Sequence, residues 1–167
     1  MNPPRSPDMT DSPTYSFPTS RCVSDDNLGF LIKQVYHSLT RVLDRETAPL
    51  GLTARQWRPI IMLASGKANT PAELARLNDI DTGAMTRTLD RLEAKGLIRR
   101  TRSQEDRRVV NIELTELGHE KAAGIPPCIA RSLNHHLRGF SKDEATQLQH
   151  MLLRMLANGS DGKPLGL

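Results

Sequence analysis

Thr82, Gly83, Thr86, Arg87 and Asp90 fall on one side of a segment whose other side carries Met85, Leu89 and Leu92. That three- and four-residue spacing predicts an amphipathic helix over about 82–95. At 1.5 Å per residue it is roughly 20 Å long, enough to cross a DNA major groove. The hydroxyls of Thr82 and Thr86 can hydrogen-bond base edges or phosphates, and Arg87 can grip guanine through two hydrogen bonds. Gly83, lacking a side chain, lets the helix start approach a duplex closely. The competing use of Arg87 is a pair with Asp90 inside the same helix.

The elements around this helix suit that chemistry. Thr70-Pro71-Ala72-Glu73 is a strong helix start: a Thr cap, Pro in the first turn and Glu three residues on. It opens a short helix with Leu74 and Leu77 inward, ending by Asn78-Asp79, so two helices are joined by a few polar residues, as in a helix-turn-helix. Beyond Gly96, Leu97-Ile98 open a strand and Val109, Val110, Ile112 and Leu114 form its return, with Ser103-Gln104-Glu105-Asp106 as the turn. A groove-sized helix followed by a basic hairpin is the plan of a winged helix that binds duplex DNA.

Charge is concentrated there. From Asp81 to Arg108, eight basic residues (Arg87, Arg91, Lys95, Arg99, Arg100, Arg102, Arg107, Arg108) stand against five acidic ones. The surplus of three is most of the chain's net +4, which favours a polyanionic partner. Arg107 is an expected phosphate contact, whereas Arg99, Arg100 and Arg102 either join it or face solvent.

Upstream, Leu28, Leu31, Ile32, Val35, Leu39, Val42 and Leu43 mark the apolar stripe of a helix from Asp26 to about Ala48, stopped by Pro49 and Gly51. Thr53 caps a helix through Trp57, Ile60, Ile61 and Leu63 that stops near Ser65-Gly66, with a kink expected at Pro59. Downstream, Thr115 and Glu116 start a long helix expected to break at Gly124-Ile125-Pro126-Pro127 and resume through Ile129, Leu133 and Leu137. Ser141 with Glu144 begins a last helix whose Leu148, Met151, Leu152, Met155 and Leu156 form a wide apolar face.

The 167 residues suffice for one compact domain. The fold expected is mainly α with a small β-hairpin wing: a winged helix-turn-helix lobe over about 53–114 plus a helical dimerisation region, about 26–50 and 115–158. A winged helix alone needs about seventy residues, so the apolar helices on either side of it are best buried against a second copy. Residues 1–25 hold five of the eleven prolines and read as a disordered tail; 159–167 read as a flexible one. Cys22 and Cys128 make no disulfide framework. No run approaches a membrane span of about 18 apolar residues, and nothing at the start reads as a signal peptide, so a cytoplasmic protein is expected.

TRTLDRLEAKGLIRR, then EDRR, then IELTELG, together with APLGLTARQW before them, resembles the MarR (multiple antibiotic resistance regulator) family over about residues 27–158. The resemblance implies an obligate homodimer on a pseudo-palindromic operator, and repression relieved by a small phenolic or aromatic carboxylate, or by oxidation in one branch. Asp106 and Arg108 match the family's wing motif, in which an Arg enters the minor groove and an Asp holds it; a narrow A·T-rich groove favours such an Arg. Family ligands bind where dimer helices meet the DNA lobe, which on this chain draws from His37, Ser38, Arg41, Trp57, Arg58 and Met62. An Arg can pair with a carboxylate, and Trp57, the chain's single tryptophan, can stack on a ring.

The peroxide-sensing branch carries its reactive Cys where this chain has about Gly29. Cys22 lies upstream with Arg21 as its only neighbouring cation, and Cys128 reads as structural. The His residues show no zinc-ligand spacing, and no cofactor is expected. G-x-x-x-x-G-K, G-x-S-x-G and H-E-x-x-H are absent, so an enzyme is not expected. The rival is a winged helix that binds proteins, which has no need for Arg107 and Arg108 beside a polar helix.

Overall fold

The computed structural model describes residues 15–22, 24–102 and 109–159; Asp106, Arg107 and Arg108 lie outside the described residues. The chain divides into two compact units, Met1–His37 and Ser38–Leu167.

In the first unit, residues expected to lack structure form a 3-10 turn, Thr19–Arg21. Polar side chains supply what apolar burial cannot: Ser24 Oγ donates to Arg21 O at 2.9 Å, and Arg21 pairs with Asp26. Helix α1 (Leu28–Thr47) begins here. The Asn27 side chain accepts from the amides of Gly29 at 2.8 Å and Phe30 at 3.3 Å, which caps the helix. Leu28, Leu31, Ile32 and Val35 are all exposed.

The second unit takes up α1 at Ser38. Buried Thr47 ends the helix, its hydroxyl bonded back to Leu43 O at 2.9 Å, and a 3-10 turn Ala48–Leu50 follows. Helix α2 (Ala54–Ala64) starts where the Asp44 carboxylate of α1 accepts from the Ala54 amide. It runs on through Pro59, whose ring is fully buried. Helix α3 (Pro71–Leu77) has the expected reciprocal cap: Glu73 N donates to Thr70 Oγ1 at 3.3 Å, and Thr70 N to Glu73 Oε2 at 3.2 Å. The Asn69 amide adds a third bond at 3.1 Å and, with these, holds the Glu73 carboxyl below the usual carboxylate range.

Helix α4 (Thr82–Ala94) is capped by Asp81, whose Oδ1 accepts from Ala84 N at 2.8 Å. It ends in a Schellman turn, Gly96 N to Glu93 O at 2.8 Å and Leu97 N to Leu92 O at 3.0 Å. That turn needs the positive φ of Gly96, 69°. Strands β1 (Ile98–Arg102) and β2 (Val110–Leu114) pair antiparallel, Ile98 opposite Leu114 and Arg102 opposite Val110. Ile112 N also donates to Asn69 O at 2.7 Å, tying the hairpin to the start of α3.

Helix α5 (Glu116–His136) starts against Gly96 and Leu97, the residues that lead into β1. Thr115 Oγ1 accepts from Gly118 N at 3.0 Å and donates to Gly96 O at 2.6 Å. A Cβ on Gly118 would stand 2.0 Å from Leu97 O, so only glycine fits. The break expected at Pro126-Pro127 does not occur: α5 is continuous. Proline's fixed φ is helical, but each ring removes an amide donor and crowds the carbonyl four residues back; the residues flanking the pair are anchored. Ile125 is fully buried in the lobe core, and Cys128, 2% exposed, has Sγ 3.2 Å from Glu46 O. Ile129, expected at a subunit contact, packs against the same core. Helix α6 (Lys142–Gly159) is capped by Ser141 and Glu144 and has no buried residue.

Leu52, Ile60, Leu74, Met85, Leu89, Leu92, Ile98, Ile112 and Ile125 form one core in which none is more than 2% exposed. It draws on α2 to α5 and both strands, fixing α4 and the hairpin to a common base.

Candidate nucleic-acid interface

Burying Met85, Leu89 and Leu92 turns the opposite side of α4 outward, and Thr82, Gly83, Thr86, Arg87 and Asp90 are all exposed there. Thr86 spends its hydroxyl proton on Thr82 O at 2.8 Å. Its oxygen lone pairs and methyl stay free, suiting a base amino group or a thymine methyl. A Cβ on Gly83 would meet Asp81 Oδ1 at 3.1 Å and Arg87 Nη1 at 3.5 Å. The missing side chain therefore clears both the cap and the guanidinium lying over it.

Asp90 does not hold Arg87. It accepts from Arg100 Nη2 of β1 at 2.6 Å, while Arg100 Nη1 reaches Glu93 Oε2 at 2.5 Å. Arg87 forms no ion pair among the described residues.

The basic surplus is thus sorted by tertiary contacts. Arg100 is neutralised by α4. Arg99 pairs with Glu113 at 2.7 Å, and with Thr101 it keeps the Glu113 carboxyl below its usual range. Lys95 donates to Gly51 O at 2.6 Å and Gln56 Oε1 at 2.8 Å, closing the turn before α2. Among the described cations of this segment, Arg87, Arg91, Lys95 and Arg102 form no ion pair, and Lys95 is held by the two hydrogen bonds just given. Sequence reasoning missed Glu93 and left Arg99 and Arg100 open. The available signal was the three-residue step from Asp90 to Glu93, which puts two carboxylates on one helix face.

The candidate ligand residues do not gather into one described cavity. His37, in the first unit, stacks edge-on against Tyr36, with ring centroids 5.7 Å apart. In the second unit, Ser38 Oγ lies 3.0 Å from His136 Nε2, and His136 Nδ1 lies 2.8 Å from Ser132 O, so Ser38 serves to tie α1 to α5. Arg41 and Arg58 are exposed, and Trp57 is half-buried against the core. Met62, at 8% exposure and with Asn78 Nδ2 3.2 Å from its sulfur, lies on the inner face of α2 with Ile60 and Pro59. A hollow of about 410 Å³ lies elsewhere, lined by Leu63, Asn69, Arg99, Ile112, Glu113 and His119 among others. No helix among the described residues is long and apolar enough to cross a membrane.

Two helices in helix-turn-helix order, a third element locking them and a basic hairpin define a DNA-binding winged-helix protein. The family model of the MarR family matches residues 50–109. The chain is 32% identical over 130 residues to the multiple antibiotic resistance protein MarR of Escherichia coli, covering 77% of this chain and 90% of that protein. It is 35% identical over 133 residues to MarR of Salmonella typhimurium, with the same coverage. The solved reduced form of E. coli MarR superposes with a TM-score of 0.71 at 31% identity, over 77% of this chain and 96% of that one. A cysteine-to-serine mutant of E. coli MarR complexed with operator DNA gives 0.68 at 31% identity, over 77% and 93%. The chain belongs to the MarR family: it is a transcriptional regulator with a DNA-binding winged helix, and not an enzyme.

Proposed function

We propose that the protein is a homodimeric, cytoplasmic repressor that binds a pseudo-palindromic operator and leaves it when a small aromatic or phenolic carboxylate binds. The observation that carries the reading is the outer face of α4, where Thr82, Thr86 and Arg87, which has no ion pair among the described residues, are exposed on a helix whose inner face is fully buried. A rigid back and a polar, cationic front are what base readout requires. The likeness to a protein solved with operator DNA supports the same use. Asp106, Arg107 and Arg108 are assigned to the wing, with Arg108 in the minor groove, Asp106 holding it and Arg107 on phosphate.

The second copy is inferred from α6, where Leu148, Met151, Leu152, Leu153, Met155 and Leu156 are each at least 38% exposed. So large an apolar face on one helix requires a partner. A two-fold dimer would set its two recognition helices about 34 Å apart, one turn of duplex. For the effector, exposed Arg41 and Arg58 offer guanidinium groups to a carboxylate, and Trp57 offers a ring face and a fluorescence signal.

Anisotropy with labelled duplex from the chain's own upstream region, against scrambled duplex at two salt concentrations, tests the reading. Selective binding that falls steeply with salt is expected, because each neutralised phosphate releases counterions. Absence of selectivity and of a salt slope would instead favour a protein-binding winged helix. Arg108→Ala is expected to weaken binding to every duplex; unchanged affinity at matched salt would remove Arg108 from the interface.

A further inference from the structure

Arg100 is the point where the recognition helix and the wing are physically joined. Strand β1 alternates its faces: Ile98, Arg100 and Arg102 share one, and Arg99 and Thr101 the other. Ile98 is buried in the core and Arg102 is exposed towards the hairpin tip. Arg100 lies between them, opposite buried Ile112, with its side chain 30% exposed. Its guanidinium takes one carboxylate on each terminal nitrogen, Asp90 at 2.6 Å and Glu93 at 2.5 Å. Three residues apart on α4, those acids form a fork matched to the fork of the guanidinium. Isolated surface ion pairs contribute little, but a planar cation held by two acids is a network with defined geometry. The core holds the hairpin as far as Ile112, opposite Arg100, and the clamp adds a direct charged tie between α4 and β1 at that level.

We infer that Arg100 is a positioning residue for DNA recognition. By clamping Asp90 and Glu93 it sets the offset between the α4 face and the wing, so both meet the duplex in one register. The clamp also gives Asp90 a role other than base contact. This rests on the DNA-binding reading, and it yields a result that reading alone does not. Asp90 and Glu93 are negative charges on the DNA-facing unit, so removing them should tighten binding if they act only through charge. If they hold the clamp, removing them should weaken selective binding.

The test is anisotropy on the full chain with labelled duplex from its own upstream region and with scrambled duplex, at fixed salt. The variants are Asp90→Asn, Glu93→Gln, the two combined, and Arg100→Lys. The acid variants change an exposed carboxyl, Asp90, and a half-buried one, Glu93, to amides, and unchanged helicity and Tm would show that the fold is kept. The expected result is a loss of about two- to fivefold in selective affinity for each single variant and about tenfold for the pair. Scrambled-duplex binding should stay unchanged or tighten. Arg100→Lys keeps the charge but not the fork, and should lose selectivity with the same salt slope. Wild type that selects its duplex while both acid variants bind it equally or more tightly overturns the clamp alone. Wild type that shows no selectivity overturns the DNA reading and the clamp with it.

Discussion

The winged-helix lobe and helix α6 are both rich in leucine and methionine, and the chain uses them in opposite ways. In the lobe, Met85, Leu89 and Leu92 are each 0% exposed, on a helix that packs against α2, α3 and β1. In α6, Met151, Leu152 and Met155 are 43%, 41% and 43% exposed. The same 3.6-residue periodicity produced both helices, so periodicity reports that a face wants burial and not where the burial comes from. The lobe finds its burial partners within one chain. Helix α6 presents an apolar face that no described residue buries; in the proposed dimer its burial, and so its free energy, depends on protein concentration.

Three measurements sharpen or break that contrast. The largest effect is expected from Leu89→Ala, which opens a cavity at a fully enclosed site and should cost about 2–5 kcal/mol of unfolding free energy at any protein concentration. Thermal or urea unfolding checks it, and a loss below about 1 kcal/mol would mean that the lobe core is looser than its burial indicates. Next is Leu152→Asp. It should leave the stability of the separated chain within about 0.5 kcal/mol, as for other exposed positions, while lowering self-association by at least about tenfold. Sedimentation over a concentration series reads this out. Unchanged association would move the subunit contact away from α6.

The smallest effect separates charge from packing inside the lobe. The Glu73 carboxyl is held low by the Asn69 amide first and then by Thr70. Its folded pKa lies below its unfolded value, about 4.3. The stabilisation it supplies is therefore complete above that value and is lost as pH falls through the folded pKa. Glu73→Gln keeps an oxygen acceptor for the cap without the charge. It should cost about a few tenths of a kcal/mol near neutrality after solvent screening, and the difference from wild type should vanish in acid. A difference that persists at low pH would assign the contribution to packing.

Most of the lobe is legible from local chemistry. The Thr70 cap, the Gly96 stop and the strand alternation around Arg100 and Ile112 each act within a few residues, where side-chain type dictates backbone conformation. The outward set Thr82, Gly83, Thr86, Arg87 and Asp90 follows from the inward set at the same spacing. The continuity of α5 does not. Pro126-Pro127 reads as a break until Ile125 and Cys128 are seen anchored on either side, a tertiary gain that outweighs two missing amides. The use of Arg100 is not legible either, because the carboxylates it touches lie on another element.

Read alone, the sequence shows the caps and order of the lobe's helices and hairpin, the polar front of α4 and the concentration of positive charge around it. These depend on propensity, capping and periodicity, all carried by neighbours in the chain. Only the tertiary structure decided which of those charges remain free. Arg99, Arg100 and Lys95 are committed to Glu113, to Asp90 with Glu93, and to Gly51 with Gln56, across separations of 7 to 44 residues. Arg87 is left unpaired among the described residues. Ion pairing depends on distance in space, and that distance is set by how the core packs.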